Sequence, residues 1–171
     1  MSITYLGLGS NQGDRERNLR AALSLINARF MVLDYSSIYH TSPVGYKEQP
    51  HFLNMVVKID SGQTTPTEML YFVKKTESDL GRTKTFHWGP RKIDIDILYM
   101  EDIRVESEDL TIPHKELFRR DFVLVPLSEI TDSLKINNNT FRVKDFVKSK
   151  SDLSTGVTIY KTKEDIVLYD I

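Results

Sequence analysis

From residue 93 to residue 98 apolar and acidic positions alternate strictly, Ile93, Asp94, Ile95, Asp96, Ile97, before the run ends on Leu98. Successive side chains of a β-strand point to opposite faces, so this alternation predicts a strand over 93–100 with three isoleucines toward a core and two aspartates together on the other side. Other segments follow the same two periods. Residues 3–8 predict a strand that runs into a glycine-rich turn, and a helix then begins at Arg15 with Asp14 as its N-cap. Leu19, Leu23, Ile26 and Phe30 give that helix one apolar stripe. Residues 31–39 and 52–59 predict strands separated by a loop that carries Pro43, Gly45 and Pro50. Thr65, Pro66 and Glu68 have the spacing of a capping box with proline at the first helical position, and Gly81 is suited to close the helix that follows. After the strand at 93–100 come a turn-rich acidic stretch and a helical pair around 114–129. Near the C-terminus, residues 157–160 and 166–169 flank a charged turn and predict a β-hairpin. The order β, α, β, β, α, β and then helix predicts an α+β sandwich with helices packed on a mostly antiparallel sheet.

Composition narrows the function classes. With 171 residues, 40% of them hydrophobic, the chain can bury one substantial core, and two domains are not the default. The net charge of -1, with Lys and Arg interspersed among Asp and Glu, argues against a nucleic-acid surface or an electrostatic membrane patch. No apolar run reaches the roughly 20 residues of a membrane span and no signal-like leader opens the chain, so a cytoplasmic location is expected. The absence of cysteine removes disulfides, thiolate metal sites and cysteine nucleophiles.

The aspartate pair carries the candidate chemistry. Their Cα atoms should lie about 6.6 to 6.8 Å apart, two strand rises, which allows both carboxylates to converge on one magnesium ion or a close pair. Aspartate is depleted in strands, so two at alternate positions weaken the plain alternative of a solvated strand face. Arg91, held behind the Gly89–Pro90 corner, adds a cation suited to phosphate oxygens. A competing pattern sits at the N-terminus, where Gly7, Gly9 and Gly13 lie between strand and helix and Asp34 falls near the end of the next strand, in imitation of a dinucleotide-binding fingerprint. The third glycine stands one place too late, and the later elements do not alternate as a parallel sheet requires. No P-loop motif is present, so any nucleotide would be held by metal and side chains.

The run His87-Trp-Gly-Pro-Arg-Lys-Ile-Asp-Ile-Asp96 resembles the signature of the hydroxymethyl-dihydropterin pyrophosphokinases. Further segments resemble that family in order: Tyr5-Leu-Gly-Leu-Gly-Ser-Asn11, Thr41-Ser-Pro-Val-Gly45, Gln49-Pro-His-Phe-Leu-Asn54, Glu77 with Gly81 and Arg82, Leu110-Thr-Ile-Pro-His114, and Arg120-Asp-Phe-Val-Leu-Val-Pro-Leu127. The resemblance implies a ferredoxin-like α+β fold and a catalytic core over residues 1–130, with 131–171 as an extension of the same domain. It implies transfer of pyrophosphate from ATP to a reduced hydroxymethyl pterin in folate biosynthesis, with magnesium, as a pair of ions, for cofactor. The catalytic residues so implied are Arg82, Arg91, Asp94 and Asp96, and the two aspartates are the metal ligands. ATP would be met by Lys84, His87, Trp88, Arg91, Ile97, Thr111, His114 and Arg120. The pterin would be met by Thr41, Ser42, Pro43, Val44, Phe52, Asn54, Trp88 and Phe122, since aromatic faces and a matching amide suit a flat heterocycle. The expected partners are these two small molecules, with no nucleic acid and no membrane, and the expected state is a monomer or weak homodimer. Departures occur at Lys84, Phe86 and His87, where relatives commonly carry arginines, and at Asp109 and Lys115, which bear on the adenine and ribose contacts. The competing function is a non-catalytic nucleotide-binding or regulatory module on the same fold.

Overall fold

The computed structural model describes residues 1–45, 47–83, 89–147 and 156–166. Its elements in chain order are β1 (Ile3–Ser10), α1 (Arg15–Arg29), β2 (Met31–Tyr35), β3 (Ile38–Thr41), β4 (Phe52–Asp60), α2 (Pro66–Asp79), β5 (Asp94–Met100), β6 (Val105–Glu106), β7 (Thr111–Ile112), α3 (Asp121–Ile130), β8 (Ser133–Ile136), β9 (Asn139–Arg142) and β10 (Val157–Lys161). The main sheet runs β10-β3-β4-β1-β5, with β2 pairing the same edge of β4 beyond β3. Every pairing in it is antiparallel. The expected α+β sandwich is therefore present, and β1 lacks the parallel neighbours that a dinucleotide fold would give it.

Alternation sorts the sheet into two faces. Leu6 and Leu8 of β1, Leu53, Met55, Val57 and Ile59 of β4, and Ile93, Ile95 and Ile97 at β5 join the α1 stripe and Met69 and Val73 of α2 in one core. On the opposite face Tyr5, Val56, Leu98 and Tyr99 pack beneath Val123, Leu124 and Leu127 of α3. A bulge makes this second layer possible, because the β1–β5 register passes from Leu6↔Ile97 to Tyr5↔Tyr99 and skips Leu98. Two consecutive β5 residues thus turn toward α3. Covering only part of that face, α3 leaves the end with Gly7, Gly9, Asn54, Asp94 and Asp96 open as a cleft.

The helix boundaries follow the capping chemistry. The Asp14 side chain accepts the Arg17 N–H at 3.0 Å. Thr65 and Glu68 form the reciprocal capping box, Thr65 N–H to Glu68 Oε2 at 2.8 Å and Glu68 N–H to Thr65 Oγ1 at 3.3 Å. Gly81, at φ +80°, lets the chain reverse beyond α2 so that the Arg82 N–H reaches the Glu77 carbonyl at 3.0 Å.

Two local expectations are corrected. The strand expected over 31–39 is two strands, broken where Ser36 Oγ accepts the Val56 N–H at 2.9 Å and Ser37 turns its N–H and hydroxyl to Glu129 of α3 at 2.8 Å each. Of the helical pair expected around 114–129, only α3 is a helix. Residues 114–119 are turns, because the His114 N–H is drawn to Leu98 O at 2.9 Å and the His114 Nδ1 accepts the Glu116 N–H at 3.2 Å. The first strand expected for a terminal hairpin is present as β10, which pairs with β3, and Ile166 is buried in the main core; the rest of the expected second strand, residues 167–169, lies outside the described residues. Among the described residues no helix is long and apolar enough to cross a membrane.

Candidate active site

Two adjoining clefts open on the α3 face and share Thr41, Ser42, Val44, Arg91, Asp94, Asp96, Arg120 and Phe122. The inner cleft, about 760 Å³, is floored by Gly7, Leu8 and Gly9 and walled by Phe52, Asn54 and Phe122. The outer one, about 1650 Å³, is lined by Lys74, Arg82, His114 and Arg119 in addition to the shared residues. The inner cleft is partly apolar and slot-like, the outer one densely cationic.

The floor exists because β1 carries glycine where it passes under the cleft. A Cβ on Gly9 would stand 2.6 Å from Asn54 Oδ1, so only glycine leaves that amide where it is. Asn54 is buried, and its Nδ2 donates to Thr41 Oγ1 at 2.6 Å across the β3–β4 pair. The carbonyl oxygen of Asn54 thereby lies over Gly9.

At the junction of the clefts stands the aspartate pair. Asp94 Oδ1 accepts from Arg82 Nη1 at 2.7 Å and Asp94 Oδ2 from Arg91 Nη1 at 2.8 Å. Arg82 also donates to Glu77, whose carboxylate is buried and takes the Ile95 N–H at 2.8 Å and Lys74 Nζ at 3.1 Å. Burial pushes the Glu77 carboxyl above the usual range, against the pull of the Ile95 N–H, Arg82 and Lys74. Asp96, by contrast, receives no hydrogen bond among the described residues. Burial first, and then the Asp94 charge, push it up to about 7, opposed by Arg120. A carboxylate so poorly compensated within the protein fits a missing cation. Among the described residues no group of three metal-ligating side chains forms.

Of the residues expected here, Arg82, Arg91, Asp94, Asp96, His114 and Arg120 line the outer cleft and Thr41, Ser42, Val44, Phe52, Asn54 and Phe122 the inner one. The Arg120 guanidinium lies 5.6 Å from the Phe122 ring centroid. Burial, followed by Arg120, holds the His114 imidazole below its usual pKa. Pro43, Ile97 and Thr111 are not in either wall: Pro43 stands between two lining residues, the Ile97 side chain belongs to the core behind the sheet, and Thr111 pairs with Glu106 in the β6–β7 ribbon. Lys84, His87 and Trp88 lie outside the described residues.

Two residues without an assigned role in the sequence reading hold the site together. Glu77 fixes Arg82, as described above. Asn11, buried at the end of β1, accepts the Arg91 N–H at 2.7 Å and donates through Nδ2 to Gln49 Oε1 at 2.9 Å and Pro50 O at 3.0 Å. It ties the segment after Gly89 to the segment before β4. The Gly-Ser-Asn order past a strand was its only sequence signal.

The model of the 7,8-dihydro-6-hydroxymethylpterin-pyrophosphokinase family matches residues 5–132. This chain belongs to that family. It is 40% identical over 167 residues to the 2-amino-4-hydroxy-6-hydroxymethyldihydropteridine pyrophosphokinase of Bacillus subtilis, covering 96% of this chain and 94% of that one. The enzyme of the same name from Aquifex aeolicus is 40% identical over 130 residues, 76% of this chain and 81% of its own. Fused relatives also match: the bifunctional protein FolKE of Lactococcus lactis strain IL1403 is 42% identical over 134 residues, which is 77% of this chain but 38% of that protein. Among solved structures, wild-type Plasmodium falciparum HPPK-DHPS with SDX-DHP superposes with a TM-score of 0.64 at 17% identity, over 86% of this chain and 43% of that one. At that identity the likeness speaks for the pyrophosphokinase fold alone.

Proposed function

We propose that this pyrophosphokinase-family chain transfers pyrophosphate from ATP to the hydroxymethyl group of 6-hydroxymethyl-7,8-dihydropterin, releases AMP, and so serves folate biosynthesis. The observation that carries the reading is the Asp94–Asp96 pair at the junction of a cationic cleft and a glycine-floored aromatic slot. In the reaction the pterin alcohol oxygen bonds to the β-phosphorus, the bond from that phosphorus to the bridging α,β-oxygen breaks, and the hydroxyl proton is lost. The protein's task is alignment of the two substrates and neutralisation of triphosphate charge.

The slot suits the pterin: Phe52 and Phe122 offer ring faces, and the Asn54 amide offers its fixed edge. The outer cleft suits the triphosphate. Arg82 and Arg91 already donate to an oxyanion, Asp94, so an incoming phosphate group finds both guanidinium forks assembled and charged. His114, whose imidazole burial and Arg120 make harder to protonate than usual, and Arg120 itself extend the same wall. Magnesium, held by Asp94 and Asp96, would supply charge neutralisation at the phosphate oxygens.

The test is to incubate the protein with ATP, magnesium and the pterin alcohol and to follow nucleotides by chromatography. AMP with a diphosphorylated pterin is the expected product pair. ADP as the main product would replace the reading with ordinary phosphoryl transfer, and no turnover in the presence of tight nucleotide binding would favour a non-catalytic module.

A further inference from the structure

The stretch 156–166 lies beyond the residues matched by the family model, yet it touches the site. β10 pairs with the outer edge of β3, Val157 opposite Thr41 and Thr158 opposite His40. At its start the Ser42 N–H donates to Gly156 O at 3.2 Å. Gly156 adopts φ +63°, and a Cβ there would come within 2.8 Å of Ser42 Oγ and 3.3 Å of Ser42 Cβ. Val157 itself forms part of the outer cleft wall beside Thr41, Ser42 and Val44. The near end of β10 is thus fitted closely against the residues that lead into the inner slot.

The far end is anchored elsewhere. Lys161 pairs with Glu16 of α1, and Tyr160 OH meets the same carboxylate at 3.3 Å. The Lys163 N–H donates to Ser37 Oγ at 3.0 Å and its ammonium meets Asp34 at 3.3 Å. Tyr35 OH donates to Ile166 O at 3.1 Å, and Ile166 is buried in the main core. These ties to α1, β2 and the Ser36–Ser37 break hold the segment independently of any ligand. Without it β3 would be the sheet edge, Thr41 would keep pairing on the β4 side only, and the Ser42 N–H would have no strand to bond.

We infer that residues 156–166 are a strap that sets the position of Thr41 to Val44, and that Gly156 is a positioning residue for recognition of the flat heterocycle in the inner slot. Its effect runs through Thr41. The hydroxyl of Thr41 holds Asn54, so a displaced Ser42 backbone turns the amide that faces the ligand. Naming the heterocycle a pterin rests on the proposed function, while the strap itself can be tested without it.

Two variants and two measurements separate the cases. Gly156→Val drives a side chain into Ser42, and Lys161→Ala removes the tie to α1, the one nearest the strand end, while leaving the cleft untouched. In the ligand-free protein, amide exchange read by NMR should speed up at Thr41 and Ser42 by roughly tenfold in both variants, with exchange in α2 and β5 unchanged. In titration calorimetry the reduced pterin alcohol, in the presence of a non-hydrolysable ATP analogue, should bind about fivefold or more weakly, with affinity for the analogue alone held within about twofold. Unchanged exchange at Ser42 in both variants overturns the strap. Faster exchange spread over the whole sheet, with equal losses for both ligands, also overturns it, since that is general destabilisation. Local exchange as expected with unaltered pterin affinity refutes the role in recognition. Failure of the wild-type chain to bind the pterin at all would instead count against the proposed function, because the exchange result does not depend on it.

Discussion

Glu77 offers the cleanest separation of folding from turnover. Its carboxylate is buried at 3% exposure and receives the Ile95 N–H, Arg82 and Lys74. Truncation to alanine leaves the Ile95 N–H without an acceptor, a loss of about 1–3 kcal/mol. It also leaves two cations one counter-charge short. In a fully buried pair that loss runs to about 3–5 kcal/mol. Here the Lys74 side chain is 59% exposed, and Arg82 is 24% exposed and retains Asp94, so solvent reduces the second contribution to about 1 kcal/mol. The sum, about 2–4 kcal/mol, lowers Tm by about 4–16 °C at about 2–4 °C per kcal/mol for a chain of this length. Glu77→Gln keeps an oxygen for Ile95 and Arg82 and removes a charge that burial already disfavours, so its destabilisation stays below about 1 kcal/mol. Turnover behaves differently. In both variants Arg82 loses an ionic tether opposite Asp94, and kcat for AMP release should fall by about tenfold or more as a preorganised guanidinium loosens. The measurements are urea unfolding followed by circular dichroism without ligands, and AMP release at saturating substrates. Equal destabilisation by Gln and Ala would refute the acceptor argument, and wild-type kcat in both would show that Glu77 does not position Arg82.

Asp94→Asn and Asp96→Asn should each remove most AMP release with far-ultraviolet dichroism unchanged, because the proposed metal charge is then left with a single carboxylate; near-normal turnover at limiting magnesium would take that residue out of the metal site. Gly9→Ala forces Asn54 from a contact of 2.6 Å and breaks its bond to Thr41, so pterin affinity should fall by about tenfold while nucleotide affinity stays level, and equal pterin binding by calorimetry would contradict it. His114 has its folded pKa held below the ordinary value by burial and Arg120, with Lys115 acting in the same direction and Glu116 and Asp94 against it. The folded state therefore binds that proton less well than the unfolded chain, and the stability His114 contributes is present above the usual histidine pKa and lost as pH falls through the depressed value. His114→Gln should flatten that acid limb in thermal melts recorded from neutral to mildly acidic pH, and superimposable limbs would refute it.

The features legible in the sequence were those decided by neighbours in the chain. Alternation at 93–98 sorted Ile93, Ile95 and Ile97 from Asp94 and Asp96, because a strand's two faces follow from backbone geometry alone. Capping at Asp14 and at Thr65–Glu68 was equally local. The misread segments were each decided by a distant partner. Ser36 and Ser37 interrupt a β-rich run because Val56 and Glu129 claim their polar groups. Residues 114–119 have a helical composition but are held as turns by the bond from His114 to the β5 carbonyl of Leu98. Residues 157–160 do lie in a strand, as their pattern indicated, but pattern does not reveal that β3 leaves an edge free for it.

The same distinction explains why the candidate site was only half visible. Residues that would touch ligands are chemically conspicuous, arginine, aspartate, phenylalanine and histidine in unusual runs. The side chains that arrange them are not. Asn11 acts by joining backbone at Arg91 to backbone at Pro50, 80 and 39 residues away in sequence, and Glu77 acts by meeting Arg82 and the Ile95 N–H together. Neither function follows from residue type, since a buried asparagine or glutamate is costly until its partners are known. Both become intelligible once β1, β5 and the end of α2 converge. A site assembled from two ligand-bearing segments on opposite sides of β1 needs a polar group at the end of that strand to hold them in register, and Asn11 is the residue that stands there.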